Sequence, residues 1–119
     1  MRLLCEMFSV EKWEADSVQI RLHADHAIYK AHFPGNPITP GVCLIQIIGE
    51  LLEQRQKSAL QLSKVVNLKF TAPVSPIGNP VLDVNFSSVI VEGQEVRTKG
   101  TILSGEQVMT KFSLIFKSR

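Results

Sequence analysis
The sequence is poor in cysteine, in clustered charge and in long apolar runs. Cys5 and Cys43 are its only two cysteines, and neither belongs to a CxxC pair or a Cys/His cluster. That excludes a disulfide framework and gives no zinc pattern. Lys and Arg number 13 against 11 Asp and Glu, for a net charge of +2. The basic residues are scattered, which is too little for a nucleic-acid footprint and leaves only a mild pull on acidic partners. The longest apolar stretch, residues 42–48, is interrupted by Gln46 and is far short of a membrane span. The first residues reach acidic and polar side chains too soon for a signal peptide. A cytoplasmic protein is the expectation.

What is present is one small domain, residues 1–119, with 45% hydrophobic and 20% charged residues. This is a globular composition. A short chain buries a smaller share of its surface than a long one. Part of its apolar surplus is therefore expected at a subunit interface. Residues 2–10 read as a strand, and Val18, Ile20 and Leu22 alternate with polar residues as in a half-buried strand. Residues 24–41 break the pattern with Pro34, Pro37, Pro40, Gly35 and Gly41 and read as a rigid loop. Residues 40–57 read as the one good helix, with Thr39 as N-cap and a single polar stripe of Gln46, Glu50, Glu53, Gln54 and Lys57. Alternation around Val66–Leu68–Phe70, Leu82–Val84–Phe86 and Val108–Phe116, with turns at Glu92-Gly93 and Ser104-Gly105, predicts four further strands in a meander. The expected class is α+β, a curved antiparallel sheet wrapped on a central helix.

The proline-rich loop carries the chemistry. His32 can exchange a proton near neutral pH. The helix that follows offers the N–H groups of Gly41, Val42 and Cys43, suited to a carbonyl oxygen gaining negative charge. Gly41 has no side chain to hold a ligand off. A base beside oxyanion donors is equipment for removing a proton next to a thioester carbonyl.

The run from His32 to Val42, HFPGNPITPGV, resembles the signature of the hot-dog-fold 3-hydroxyacyl-acyl-carrier-protein dehydratases. That family shows His-Phe-Pro, then Pro-Gly-Val, then a helix bearing an acid. Residues 69–78, KFTAPVSPIG, resemble its Phe-x-x-Pro-Val-x-Pro-Gly segment. The resemblance implies a hot-dog fold, with His32 as the base at C2 of the acyl chain and the Gly41 N–H on the thioester carbonyl. It implies no metal and no organic cofactor. The family's acid stands at the position of Gln46, and an amide cannot deliver a proton as a carboxylic acid does. Many relatives read Glu-x-x-x-Gln, whereas this chain reads Gln46-x-x-x-Glu50. Glu50 is therefore the expected acid, directly or through a water, with its pKa raised by desolvation, and Gln46 orients the hydroxyl. The competing reading makes Glu50 part of a solvated stripe and Gln46 structural glue.

Tyr29, Phe33, Pro40 and Val42, with Ile38, are the expected substrate contacts. His23 and His26 read as surface or loop residues, Cys43 as core, and Trp13 as packing near the first strand pair. Lys30, Arg55, Lys57 and Lys64 are candidate contacts for an acidic carrier. The implied activity is dehydration of a 3-hydroxyacyl thioester on acyl carrier protein, in fatty-acid or polyene-type lipid synthesis. The implied assembly is a homodimer, with a paralogous partner possible. The alternatives are a non-catalytic subunit that binds a carrier or a paralogue, and a hot-dog thioesterase.

Overall fold
A computed structural model describes residues 3–4, 6–31 and 35–119. The element order is β1 (Phe8–Glu14), β2 (Ser17–Leu22), α1 (Ala27–Ala31), α2 (Gly41–Gln56), β3 (Leu60–Phe70), β4 (Val81–Glu92), β5 (Glu95–Ser104) and β6 (Gln107–Ser118). The strands form one six-stranded sheet in the order β1-β2-β4-β5-β6-β3. Every neighbouring pair is antiparallel.

Helix α2 lies on the concave face of this sheet, the hot-dog arrangement expected. Its Leu44, Ile47, Ile48, Leu51 and Leu52 are buried with Val18 and Ile20 of β2, Leu82 and Val84 of β4, and Phe112, Leu114 and Phe116 of β6. Each such aliphatic side chain contributes about 2 kcal/mol by leaving water. The alternation read in β2, β4 and β6 falls on this inner face, as expected.

Four expectations need correction. The four later strands are not a simple meander. Two-residue turns at Gly93-Gln94 and Gly105-Glu106 join β4, β5 and β6 in sequence. Only the first residue of each turn has positive φ, 60° at both Gly93 and Gly105, as in a type II′ turn. The segment between β3 and β4 is too long to force adjacency, so β3 pairs with β6 at the sheet edge and β4 with β2. On that edge Val65, Val66 and Phe70 are exposed, so the alternation in β3 does not mark the core of this chain.

The other three corrections concern termini and loops. The first strand begins only at Phe8, because the N–H groups of Glu6, Met7 and Phe8 all donate to the Leu3 carbonyl and wind the preceding segment into a turn. Thr39 does not cap α2. Pro40 is the N-cap, no side chain caps the helix, and Cys43 N–H donates to the Pro40 carbonyl at 3.0 Å. Within the expected loop, residues 27–31 form the short helix α1.

The curl of the sheet is set near Gly100. It pairs with Phe86 of β4 on one side and Phe112 of β6 on the other, next to a bulge between Phe86 and Ser88. The two rings meet edge to face at 6.0 Å, and Trp13 stacks on Phe86 at 6.2 Å. A Cβ at Gly100 would lie 1.9 Å from the Asn85 carbonyl oxygen and 2.7 Å from the Phe112 ring. The backbone atom cannot yield as a side chain would. Gly100→Ala is expected to cost about 3 kcal/mol of unfolding free energy, measured by urea titration. A loss below half that value contradicts the close-approach account.

Candidate active site
The N-terminus of α2 is built by the chain on either side of it. Thr39 N–H donates to the Val74 carbonyl at 2.7 Å, tying the loop to the segment after β3. The Thr39 hydroxyl and the Tyr29 hydroxyl lie 3.0 Å apart, tying it to α1. Gly41 lies against the Phe70 ring, where a Cβ would come within 2.6 Å of Cζ. The helix thus starts without a side-chain cap and with a flat aromatic wall beside Gly41, while the Cys43 N–H, one of the three expected donors, is taken by the Pro40 carbonyl.

Two cavities meet this helix end. One, of about 320 Å³, is lined by Ile38, Thr39, Gly41, Leu44 and Phe70 together with residues 71–74. The other, of about 440 Å³, runs between α2 and β3 along Val42, Gln46, Gly49 and Glu53 on the helix side, with Leu62 and Phe116 opposite. Ile38 and Gly41 line the first cavity, and Val42 and Gln46 line the second. Val42 is 70% exposed there. Pro40 sits beside the first cavity as the helix N-cap. His32 and Phe33 lie outside the described residues.

Glu50 departs from both sequence readings. It is 1% exposed, so it belongs to no solvated stripe. It also lines neither cavity. Its Oε2 accepts the Leu3 N–H and the Gln46 Nε2–H, and its Oε1 accepts the Leu4 N–H, each at 2.8 Å. The direct-acid expectation is corrected on this ground: the carboxylate is turned toward the N-terminal backbone and not toward either cavity.

Tyr29 also departs from expectation. It is buried against Thr39 and lines neither of the two cavities, so it braces the loop. The other histidines are structural. His23 Nδ1 contacts the Glu6 carbonyl at 2.9 Å and Nε2 the Ser9 hydroxyl at 3.2 Å, a pairing satisfied by the neutral ring protonated on Nδ1. His26 Nδ1 accepts the Ile28 N–H at the start of α1. Cys43 is buried and its thiol pKa is pushed up by desolvation, as for a core residue. Arg55 is committed to Asp16 at 2.7 Å. No group of three metal-ligating side chains occurs among the described residues.

Sequence reasoning missed Phe70 and Glu53. Phe70 entered the sequence reading only as part of an alternating strand and of the KFTAPVSPIG segment, and its closeness to Gly41 shows it as a cavity wall. Glu53 accepts the Leu60 N–H at 2.8 Å and pairs with Arg119 at 3.1 Å, closing the far end of the larger cavity. No short-range pattern announces either contact.

Residues 10–106 match the ApeI-like family, described as ApeI dehydratase. The chain belongs to the ApeI-like dehydratase family. The 3-hydroxyacyl-acyl-carrier-protein dehydratase FabZ of Wolbachia sp. subsp. Drosophila simulans (strain wRi) is 25% identical over 95 residues, which are 74% of this chain and 66% of that protein. The match thus spans just under two thirds of the relative's length. Similar folds occur in the dehydratase heterocomplex ApeI:P of Xenorhabdus doucetiae, with TM-score 0.59, 17% identity and coverage of 91% of this chain and 93% of that one. Protein PH1136 of Pyrococcus horikoshii gives TM-score 0.66 at 11% identity, over 96% and 84% of the two chains. A member of the thioesterase superfamily gives 0.64 at 10% identity, over 94% and 84%. At these identities the structures establish the hot-dog fold and nothing finer.

Tyr29 provides a direct check of the loop packing, because it is the only tyrosine. Burial raises its phenol above the ordinary 10.0, with nearby Cys43 adding and the Thr39 hydrogen bond opposing. The folded state therefore holds the phenolic proton more tightly than the unfolded state. The associated stability is fully present below pH 10 and is lost as pH rises through the folded pKa. Ultraviolet titration is expected to show ionisation above pH 10 in the native protein and near 10 in denaturant. Coincident curves contradict the buried placement.

Proposed function
We propose that the chain is a hydro-lyase that removes water from a 3-hydroxyacyl thioester carried on acyl carrier protein. The observation that carries this reading is the N-terminus of α2 at Gly41, free of a side-chain cap, between a largely apolar cavity and a second one of mixed polarity that Gln46 lines. His32 takes the proton from C2. The Gly41 N–H and the helix dipole stabilise the thioester oxygen as charge develops on it. The Gln46 amide holds the 3-hydroxyl. The C3–O bond breaks as the C2–C3 double bond forms, and the hydroxyl leaves as water with one proton.

Gln46 cannot supply that proton, and Glu50 faces the N-terminal backbone. Either His32 passes on the proton it has taken, or a second subunit provides an acid. The second subunit has a place to bind. Edge strand β3 has one strand neighbour among the described residues and exposes Leu62, Val65, Val66 and Phe70, of which Leu62 lines the larger cavity and Phe70 the smaller. A two-fold partner would continue the sheet there and cover the apolar residues. A paralogue on this edge, contributing the acid, is the second reading. The occupied Glu50 favours it, and the heteromeric assembly of ApeI:P provides a parallel.

The test is an assay of 3-hydroxyacyl carrier-protein substrates of several chain lengths, with the protein alone and mixed with a paralogue from the same genome. Trans-2-enoyl product is expected, and His32→Ala is expected to lower its rate by about 1,000-fold. Enoyl product only on mixing selects the paralogue reading. Free acid released from thioesters lacking a 3-hydroxyl, without enoyl product, overturns dehydration in favour of a thioesterase.

A further inference from the structure
We propose that the outer face of the sheet, across β3, β6 and β5, docks an acidic helix of a partner protein, and that this partner is the acyl carrier protein. The identity of the partner rests on the dehydratase reading; the cationic face does not.

The basic residues are scattered in the sequence, and strand pairing gathers four of them. Lys69 of β3 stands directly opposite Lys111 of β6. Lys111 is opposite Thr101 of β5 and Ser113 is opposite Lys99, which sets Lys99 on the diagonal from Lys111. Lys64 lies two rows along, opposite Ile115. Residues paired across an antiparallel ladder share a face. The neighbours of Lys111 and Lys99 along their strands, Thr110, Phe112, Thr98 and Gly100, are buried, so the lysines stand on the side away from α2. All four are exposed.

The chain does not neutralise this cluster. Among the described residues none of the four lysines is in an ion pair. No Asp or Glu occupies the β3, β6 and β5 positions of these rows. Glu95 lies farther along, paired with Arg97 at 3.4 Å and opposite Lys117. Like charges directly opposite on a ladder repel, and Lys69 and Lys111 are such a pair. A cavity of about 340 Å³ opens among them, with Lys99, Lys111, Asn67 and Ser113 in its wall. A carboxylate placed there meets cations and neutral hydrogen-bond donors.

The dimensions favour a helix. From the Lys111 row to the Ile115 row is about 14 Å along β6, and three strands span about 10 Å. That is the footprint of about two and a half turns of one α-helix. Carboxylates at every third or fourth position of such a helix share one stripe and follow the cluster. A bilayer would meet only the crest of this convex face. No aromatic residue stands in these rows for bases to stack on. The cluster also borders the candidate site. Lys69 precedes Phe70, and Phe70 with residues 71–74 walls the smaller cavity at Gly41. A carrier seated on the lysines thus stands where the outer face meets a cavity wall. A subunit continuing the sheet at the β3 edge would leave this face free.

Lys111→Glu and Lys12→Glu test the proposal. Each changes the net charge by the same amount, and Lys12 lies on β1, at the far side of the sheet. In Lys111→Glu the new carboxylate would face Lys69, so the thermal unfolding midpoint is expected to hold. The titrant is each acyl carrier protein of the same genome. Lys111→Glu is expected to weaken binding by about tenfold, and Lys12→Glu by about twofold at most. Added salt is expected to weaken the wild-type complex more steeply than the Lys111→Glu complex. No binding by the wild type, or equal weakening by the two variants, overturns the proposal. So does Lys111-dependent binding to phosphatidylglycerol vesicles or to single-stranded RNA without binding to a carrier protein. Should Lys111→Glu not fold, Lys69→Gln combined with Lys99→Gln decides in the same titration, and unchanged affinity overturns the proposal.

Kinetics separate this surface from the chemistry. Lys111→Glu is expected to raise KM for the carrier-borne 3-hydroxyacyl substrate by about tenfold and to leave turnover of the same acyl group on N-acetylcysteamine unchanged. An equal loss on both substrates overturns the proposal. If the wild type forms no enoyl product from either, it is the dehydratase reading that fails, and the titration alone judges the face.

Discussion
A carboxylate buried in the middle of an apolar helix must find hydrogen-bond donors within the protein, because water cannot reach it. Glu50 finds three, and two of them are backbone groups from the far end of the sequence. An unsatisfied carboxylate at this depth would cost several kcal/mol. That penalty disfavours any fold in which the first residues leave α2, so the N-terminal turn, the start of β1 and the packing of the helix are selected together. The same three bonds explain why Glu50 is turned from the cavities although it lies on the cavity-bearing helix.

The sheet has a complementary task. It must curl enough to cover α2 on several sides and still leave the helix N-terminus reachable. Gly100 allows the curl by letting the β4 backbone come close, while Phe86 and Phe112 meet over the space that a side chain would fill. At the other end of the helix, Phe70 packs against the bare Cα of Gly41. Two glycines thus permit two close approaches, of the β4 backbone at Gly100 and of the Phe70 ring at Gly41, the first residue of α2. A side chain at Gly41 would displace the Phe70 ring that walls the smaller cavity, and one at Gly100 would collide with the β4 backbone.

The fold class was legible because its signals are local. The alternation of Val18, Ile20 and Leu22 and the crowding of apolar residues in α2 each reflect burial on a fixed period. The order of the strands was not legible, because nothing within ten or so residues says that β3 pairs with β6. The exposed Val66 and Phe70 follow the same alternation as a core-facing strand, since an exposed edge can carry the same period as a buried one. The placing of Gly41, Val42 and Gln46 along one helix was legible because a helix preserves spacing, but that Gly41 lines one cavity and the other two a second was not. Glu50 could not be interpreted, since its partners are more than forty residues away in the chain. Tyr29 was misplaced for a similar reason: an apolar ring in a loop either lines a channel or braces the loop, and only the Thr39 hydroxyl decides between them.

The exchange of acid and amide along α2 then has a physical meaning beyond a missing catalytic group. With the amide at position 46 and the acid at 50, the helix presents a neutral hydrogen-bonding group to the larger cavity at position 46, leaves Glu53 paired with Arg119 at the cavity's far end, and turns Glu50 to the N-terminal turn. A charged carboxylate in the cavity would have to be desolvated by an incoming acyl chain, whereas an amide asks for less. The arrangement lowers the cost of binding an apolar substrate and gives up the ability to protonate it. Under the proposed dehydration, a chain that makes this exchange would need its proton from the base that removed it or from a neighbour, and Leu62 on the β3 edge lines the same cavity as Gln46. The proposed need for a partner and the loss of an internal acid are thus two consequences of one substitution pattern, read on the two sides of a single cavity.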